Sequence, residues 1–306
     1  MISVLVTGAN GHLGRRLISA LPQDYEIEAL VRSERARRIL LRHIGKTQRL
    51  NVTIADPSDP DAVAEVALHC DKAVHLIGTI KETRDNQYTD AHERPAQALA
   101  EAAARSAIEH IVHINILGAD AASPSRCLRS RAAAEAILLA ATTPVTVIRV
   151  PMVLGEADRA SLALAKRAAA KRVFLLHAAS LEQPIYAGDI INTVRNALCF
   201  QAPENRVFDL AGPESLSRRE LVMRAAAILN RKPSIHSLPL ALGLGLAGLI
   251  ELFRVGPPVT REMLRVLDHD DAIDPSAAVA ALGLTLTPLH ETLRLCVKNR
   301  LVQDAT

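Results

Sequence analysis

Three glycines, Gly8, Gly11 and Gly14, stand three apart in the run Thr7-Gly8-Ala9-Asn10-Gly11-His12-Leu13-Gly14, directly behind the apolar Val4-Leu5-Val6. Glycines so arranged suit the binding of a diphosphate. Gly8 permits a tight turn, Gly11 lets phosphates approach the backbone, and Gly14 lets a helix close on the preceding strand. A helix from about Leu13 to Leu21 would aim its free N–H groups at the anion. The competing reading is a structural glycine turn with no ligand. Against it stands the position of the triplet, between a first strand and a first helix. Thr7, Gly8, Asn10, Gly11, His12, Leu13 and Gly14 are therefore the candidate phosphate-binding residues.

The next chemical position is the end of the second strand, where a carboxylate would take a ribose 2′-hydroxyl and a cation a 2′-phosphate. The chain there reads Leu30-Val31-Arg32-Ser33. A guanidinium fork beside a hydroxyl suits phosphate. These residues predict a nicotinamide dinucleotide, NADP(H) in preference to NAD(H). The cations that follow, Arg35, Arg37, Arg38 and Arg42, read as a solvated helix face, since no aromatic residue interleaves them.

Periodicity supplies the elements that must hold these residues. Short β-branched runs at Ser3–Val6, Glu26–Val31, Asn51–Ile54, Ala73–Ile77, His110–Ile114 and Val145–Arg149 alternate with helical patterns near Ala62–His69, Pro95–Ala107 and Cys127–Ala141. Such alternation gives right-handed βαβ units. The predicted class is α/β: a Rossmann-type doubly wound parallel sheet with a smaller, mainly helical C-terminal lobe. The dinucleotide domain is expected over 1–155 and the second lobe over 156–306, with 185–212 returning to the first through a strand at Arg206–Leu210. In the second lobe Ser217-x-x-Glu220 reads as a capping box for a helix to about Asn230, and Asp274-Pro275 opens a helix that Gly283 ends.

Composition excludes several classes. Of 306 residues 49% are apolar but only 2% aromatic, so the core is aliphatic and offers few platforms for stacking nucleic-acid bases. A net charge of +3 provides no electrostatic funnel for DNA or RNA. Cys70, Cys127, Cys199 and Cys296 form no C-x-x-C pair, which suits a reducing cytoplasm. Ile2-Ser3-Val4-Leu5-Val6 reads as a strand and not a signal peptide, and no apolar run reaches the length of a membrane span.

With the glycine turn, several later segments carry a family resemblance: Ala55-Asp56, Asp71-x-Ala73-Val74-His75-Leu76-Ile77-Gly78-Thr79, His113-Ile114-Asn115-Ile116-Leu117-Gly118 and Arg149-x-Pro151-x-x-x-Gly155. They resemble the extended and atypical short-chain dehydrogenases/reductases, in the group related to the 39-kDa accessory subunit of respiratory complex I and to NmrA-like proteins. Pro239, Pro257-Pro258 and Asp274-Pro275-Ser276 extend the likeness over nearly the whole chain. The resemblance implies that Asp56 accepts from the adenine amine, that Ile77, Gly78 and Thr79 line the adenosine side, and that Pro151 borders the cofactor. On local chemistry alone Asp56 and Asp71 are equally turn residues.

Catalytic members of that superfamily pair a Tyr with a Lys four residues on, one helical face bringing the ammonium beside the phenol, and add a Ser from the preceding strand. Here Cys127 stands at the Tyr position, Arg131 at the Lys position and Asn115 at the Ser position. The usual proton relay is therefore absent. Arg131 keeps donors for the nicotinamide ribose. Cys127 is either a buried small hydrophobe or, beside a cation, a reactive thiol. Tyr186, Glu82 and His92 are alternative proton donors, each also readable as a wall or surface residue. His110 and His113, three apart on a strand, face opposite ways and make no metal site.

These readings leave two functions: a cofactor-binding sensor, assembly or accessory protein, and an NADPH-dependent oxidoreductase or epimerase-like enzyme with an unconventional donor, acting on a nucleotide-sugar or prenyl-type substrate. Within 238–253, the apolar run Leu238–Ile250 reads first as a buried helix. Its alternative is a docking helix for a protein partner, a lipid-like substrate or a membrane surface, which would make a cytoplasmic protein peripheral to a membrane.

Overall fold

The computed structural model describes residues 1–44, 49–253, 260–266 and 269–298; Pro257 and Pro258 lie outside them. The chain divides into two compact units, Met1–Arg149 with Ile191–Phe208, and Val150–Ile190 with the residues from Asp209 on.

The first unit opens with β1 (Ile2–Thr7), α1 (His12–Ala20), β2 (Tyr25–Val31), α2 (Glu34–Ile44), β3 (Leu50–Ile54) and α3 (Pro60–Ala67). Then follow β4 (Lys72–His75), α4 (Arg94–Ala103), β5 (His110–Ile116), α5 (Arg126–Leu139) and β6 (Val145–Val150). Later come β7 (Val153–Leu154), α6 (Arg159–Ala169), β8 (Arg172–Leu176), β9 (Leu181–Glu182), β10 (Ile185–Tyr186), α7 (Ala187–Leu198) and β11 (Arg206–Asp209). The chain continues through β12 (Leu216–Ser217), α8 (Arg218–Ile228), β13 (Ser234–Leu238), α9 (Leu240–Phe253), α10 (Arg261–Val266), α11 (Ser276–Ala281) and α12 (Leu289–Leu293).

Seven strands form one sheet in the order β11-β6-β5-β4-β1-β2-β3. The order reverses between β1 and β4, which opens the crevice where open α/β sheets bind ligands. Leu5, Leu30, Val63, Leu99, Ile111 and Leu138 pack the sheet against its helices. Interior positions are filled by aliphatic side chains, as the aromatic-poor composition requires.

Local signals set most boundaries. Asp59 caps α3, accepting from Asp61 and Ala62 N–H, and Pro60 takes the first turn. Ser125 caps α5 through Leu128 N–H. Ser217 accepts from Glu220 N–H as expected, but the Glu220 carboxylate pairs with Arg224. Two predicted elements are shorter than expected. β4 stops at His75 because Leu76 and Ile77 leave the ladder to pass under Gly8. α4 ends at Ala103, where the i→i−3 bonds of Arg105 and Ser106 tighten the turn.

The second unit is mainly helical, but it also holds three two-stranded ladders: β10 with β7, β12 with β9, and β13 with β8. Their core gathers Leu154, Leu164, Val173, Leu175, Leu221 and Leu289. The buried-helix reading of the apolar run is corrected. Leu238 ends β13, and α9 buries Ala247 while Leu242, Leu246 and Leu249 are each more than half exposed, at 57%, 57% and 55%. One face of the helix packs and the next does not. Gly243 lets the Leu176 side chain close in and Gly248 admits the Arg261 guanidinium, whereas nothing lies within 4 Å of a Cβ built at Gly245.

Candidate functional site

Gly8 has φ +72°, in the left-handed region that favours glycine, and a Cβ there would sit 2.8 Å from the Leu76 carbonyl carbon. Gly11 N–H donates to the Gly8 carbonyl at 2.9 Å, closing the turn. A Cβ on Gly14 would meet Gly8 O at 2.5 Å and Ala9 Cα at 2.7 Å, so the helix-on-strand approach excludes a side chain. Gly11 is the N-cap of α1 and has no side chain to offer the first-turn N–H groups. The result is a cradle of backbone donors at a positive helix terminus, which fits a diphosphate. Gly11 and His12 are exposed, Asn10 and Leu13 half-buried, and Thr7 buried.

Arg32 follows β2, exposed, with its guanidinium 3.4 Å from Asn86 Oδ1. Ser33 Oγ accepts from Ala36 N–H at 3.2 Å, which fixes the hydroxyl at the start of α2 while leaving its proton to donate. Asp56 is exposed and accepts from Ser58 N–H at 2.9 Å, the turn role expected on local grounds. Asp71 accepts from Ser3 N–H at 2.7 Å and ties β4 to β1.

On the other side of the reversal lies a cluster that sequence reasoning did not assemble. β4 and β5 pair in register Lys72↔His110 and His75↔His113, so His75 and His113 are neighbours with ring centroids 5.1 Å apart. His75 Nδ1 lies 2.8 Å from Thr7 Oγ1, and His113 Nδ1 lies 3.2 Å from the His75 carbonyl, to which it must donate. His92 enters from a π-helical turn, Thr89–Glu93, and lies between Ser130 Oγ and the Thr79 backbone. Burial first, then the nearby Arg131 cation, pushes His92 and His113 down to about 3, and burial, then His113 and Arg131, hold His75 well below its ordinary value. All three imidazoles are neutral at physiological pH. The expected separation of His110 holds: it faces away and meets Thr146 Oγ1 at 2.9 Å.

Arg131 projects from α5 across Gly78, whose added Cβ would collide with the guanidinium at 2.0 Å. Among the described residues its side chain makes one hydrogen bond, from Nη1 to the Ile77 carbonyl at 3.5 Å, no carboxylate pairs with it, and its Nε is buried without a partner. Burial pushes its pKa down, with Cys127 opposing. His75 Nε2, His113 Nε2 and Asn115 Oδ1 are likewise buried and unpartnered. Such orphans ask for a bound polar group.

Cys127 is fully buried and its thiol donates to the Thr79 carbonyl at 3.5 Å. Asn115 donates to Glu135 Oε2 at 2.7 Å and to the Arg131 carbonyl at 3.3 Å, and Arg149 pairs with the same Glu135. The alternative donors each have partners of their own, and Glu82 and His92 both contact Tyr88. Glu82 is held by Arg126 at 2.6 Å. Tyr186, in the second unit with Pro151, donates to Glu156 Oε1 at 2.5 Å. Among the described residues no His, Cys, Asp or Glu cluster could hold a metal ion.

A glycine cradle at the reversal of a doubly wound parallel sheet defines a dinucleotide-binding α/β protein of the short-chain dehydrogenase/reductase kind. Residues 8–180 match the NAD(P)H-binding family, and the chain belongs to it. Within that superfamily it falls in the atypical group that includes the complex I 39-kDa-type subunits. It is 25% identical over 293 residues to mouse (Mus musculus) NADH dehydrogenase [ubiquinone] 1 alpha subcomplex subunit 9, covering 93% of this chain and 77% of the relative. It is 28% identical to a ceramide reductase of Caulobacter vibrioides, covering 77% of this chain and 73% of that protein. A UDP-glucuronic acid 4-epimerase of Bacillus cereus, solved with UDP-glucuronic acid and NAD, superposes over 100% of both chains with TM-score 0.75 at 16% identity.

Proposed function

We propose that this nicotinamide-dinucleotide-binding chain holds its coenzyme without the usual turnover chemistry, as a sensor, assembly or accessory protein, and prefers NADP(H). The observation that carries the reading is the fully buried Cys127, whose thiol is turned into a backbone carbonyl where a catalytic phenol would stand. Similarity to a subunit of a respiratory complex supports it.

In this reading Thr7, Gly8, Asn10, Gly11, His12, Leu13 and Gly14 hold the diphosphate, and Arg32 with Ser33 takes the 2′-phosphate. Asp56, Ile77, Gly78 and Thr79 serve the adenosine half, Arg131 the nicotinamide ribose, and Pro151 borders the cofactor. Hydride chemistry belongs to the coenzyme. The protein's part is to bind and orient it. The exposed leucines of α9 supply the contact with a protein partner, in a cytoplasmic protein that sits at the edge of a membrane-bound assembly.

Titration calorimetry with NADPH and NADH tests the preference: Arg32→Ala is expected to weaken NADPH about tenfold and NADH little. Steady fluorescence of bound NADPH across a panel of carbonyl compounds is the expected sign of a holder. The ceramide reductase relative favours a second reading, an NADPH-dependent reductase or epimerase-like enzyme with Tyr186 as donor. Turnover that survives Cys127→Ala but not Tyr186→Phe would replace the first reading with the second.

A further inference from the structure

The Arg131 side chain is half-buried with its Nε buried, among the described residues no carboxylate pairs with it, and its place beside the sheet decides what it meets. A doubly wound sheet receives a dinucleotide with one nucleotide on each side of the reversal. β1, β2 and β3 carry the glycine cradle and Arg32, so the adenosine phosphate half lies there. The nicotinamide half then falls over the carboxyl ends of β4 and β5. Ile77, Gly78 and Thr79 stand at the reversal itself, with the adenosine on one side and, through Arg131 lying across Gly78, the nicotinamide on the other, where His75 and His113 stand side by side.

Among the described residues, the side chains named around that guanidinium carry no charge. The three imidazoles are neutral, and Cys127 supplies a thiol donating to a carbonyl where a phenol could have ionised. The nearest carboxylate on α5, Glu135, is committed to Arg149 and Asn115. A like charge brought beside this partly buried guanidinium is repelled, with less screening than between two surface charges.

From this we infer that Arg131 makes the chain selective for the redox state of its coenzyme, binding the reduced, uncharged dihydronicotinamide in preference to the oxidised, cationic ring. The amide and ribose hydroxyls of the reduced form can satisfy the orphaned Arg131 Nε and the His75 and His113 Nε2 atoms. The oxidised form presents the same groups but adds a positive charge facing the guanidinium. The inference rests on the proposed coenzyme binding and adds a direction to it: the protein reports reduced coenzyme.

The test is calorimetry of the full chain with NADPH, NADP⁺, NADH and NAD⁺. Reduced coenzyme is expected to bind at least about tenfold tighter than oxidised. The ratio should be alike for both pairs, because the 2′-phosphate lies on the other side of the reversal, and it should persist in 0.5 M salt. Arg131→Lys keeps the ratio and Arg131→Gln brings it near one. Equal affinity of the wild type for both redox states overturns the inference, as does an unchanged ratio in a folded Arg131→Gln. No heat with any of the four would instead sink the coenzyme-binding reading itself.

Discussion

At Gly14 a single methyl group decides whether the cradle exists, since its Cβ would lie 2.5 Å from Gly8 O and 2.7 Å from Ala9 Cα, both backbone atoms. Neither neighbour can rotate away. Gly14→Ala is therefore expected to push α1 off β1, cutting coenzyme affinity by about a hundredfold or more. Calorimetry against the wild type measures it, and Ser19→Ala, at an exposed position on the same helix, serves as the control.

The buried histidines make stability fall in acid. His92 and His113, at about 3, and His110, at about 4, bind protons less readily folded than unfolded, where the value is near 6.5. The unfolded chain thus takes up the extra protons. Stability is complete above about pH 6.5 and is lost as pH falls toward 3, at up to roughly 1.4 kcal/mol per pH unit for each histidine. Burial raises Glu28, Glu182 and Asp189, whose contributions run the other way, near the carboxylate range. Urea midpoints should change little from pH 7.5 to 6.5 and fall steadily from 6.5 to 5.5 and 4.5, with the dependence on urea unchanged. A His92→Gln variant should lose less on acidification than the wild type, and a flat profile would refute the account.

At this scale the glycine turn was legible because it answers to a spacing, whereas Asn115, Cys127 and Arg131 were singled out by the family resemblance. The histidine cluster was not. Bringing His75 beside His113 requires the register of β4 on β5, and His92 arrives on a π-helical turn that no periodicity announces.

Among the elements, the sheet strands were legible because buried parallel strands are continuous aliphatic runs bounded by turns. The two-residue strands of the second unit carry too few residues for any period. The run of α9 misled for a different reason: a helix apolar on every side carries no periodicity to say which face is covered. Its exposed leucines, at positions 242, 246 and 249, fall on one face by their i, i+4 and i+7 spacing. Because they already meet water, exchanging all three for Ser should change folding stability by less than about 0.5 kcal/mol apiece. Ala247→Leu, on the packed face, should cost roughly 1–3 kcal/mol by overpacking. Chemical denaturation distinguishes the faces. Sedimentation with phosphatidylcholine vesicles then tests the occupant: wild-type binding lost in the triple Ser variant would put a bilayer in place of the protein partner proposed for this face.

For the whole molecule, coenzyme binding and folding are one linked equilibrium. The cradle needs β1, α1 and the Leu76–Ile77 backbone held against Gly8, so the unfolded chain has no site. Ligand at one hundred times its dissociation constant should then add about 2.7 kcal/mol to unfolding. The gain should appear as a rise in Tm that grows with the logarithm of NADPH concentration. Gly14→Ala should abolish that dependence, because it removes the site. Arg32→Ala should only shift it to higher NADPH concentration, because one phosphate contact is lost and the cradle remains. If NADPH raised the Tm of Gly14→Ala as much as that of the wild type, the coenzyme would be bound somewhere other than the turn between β1 and α1.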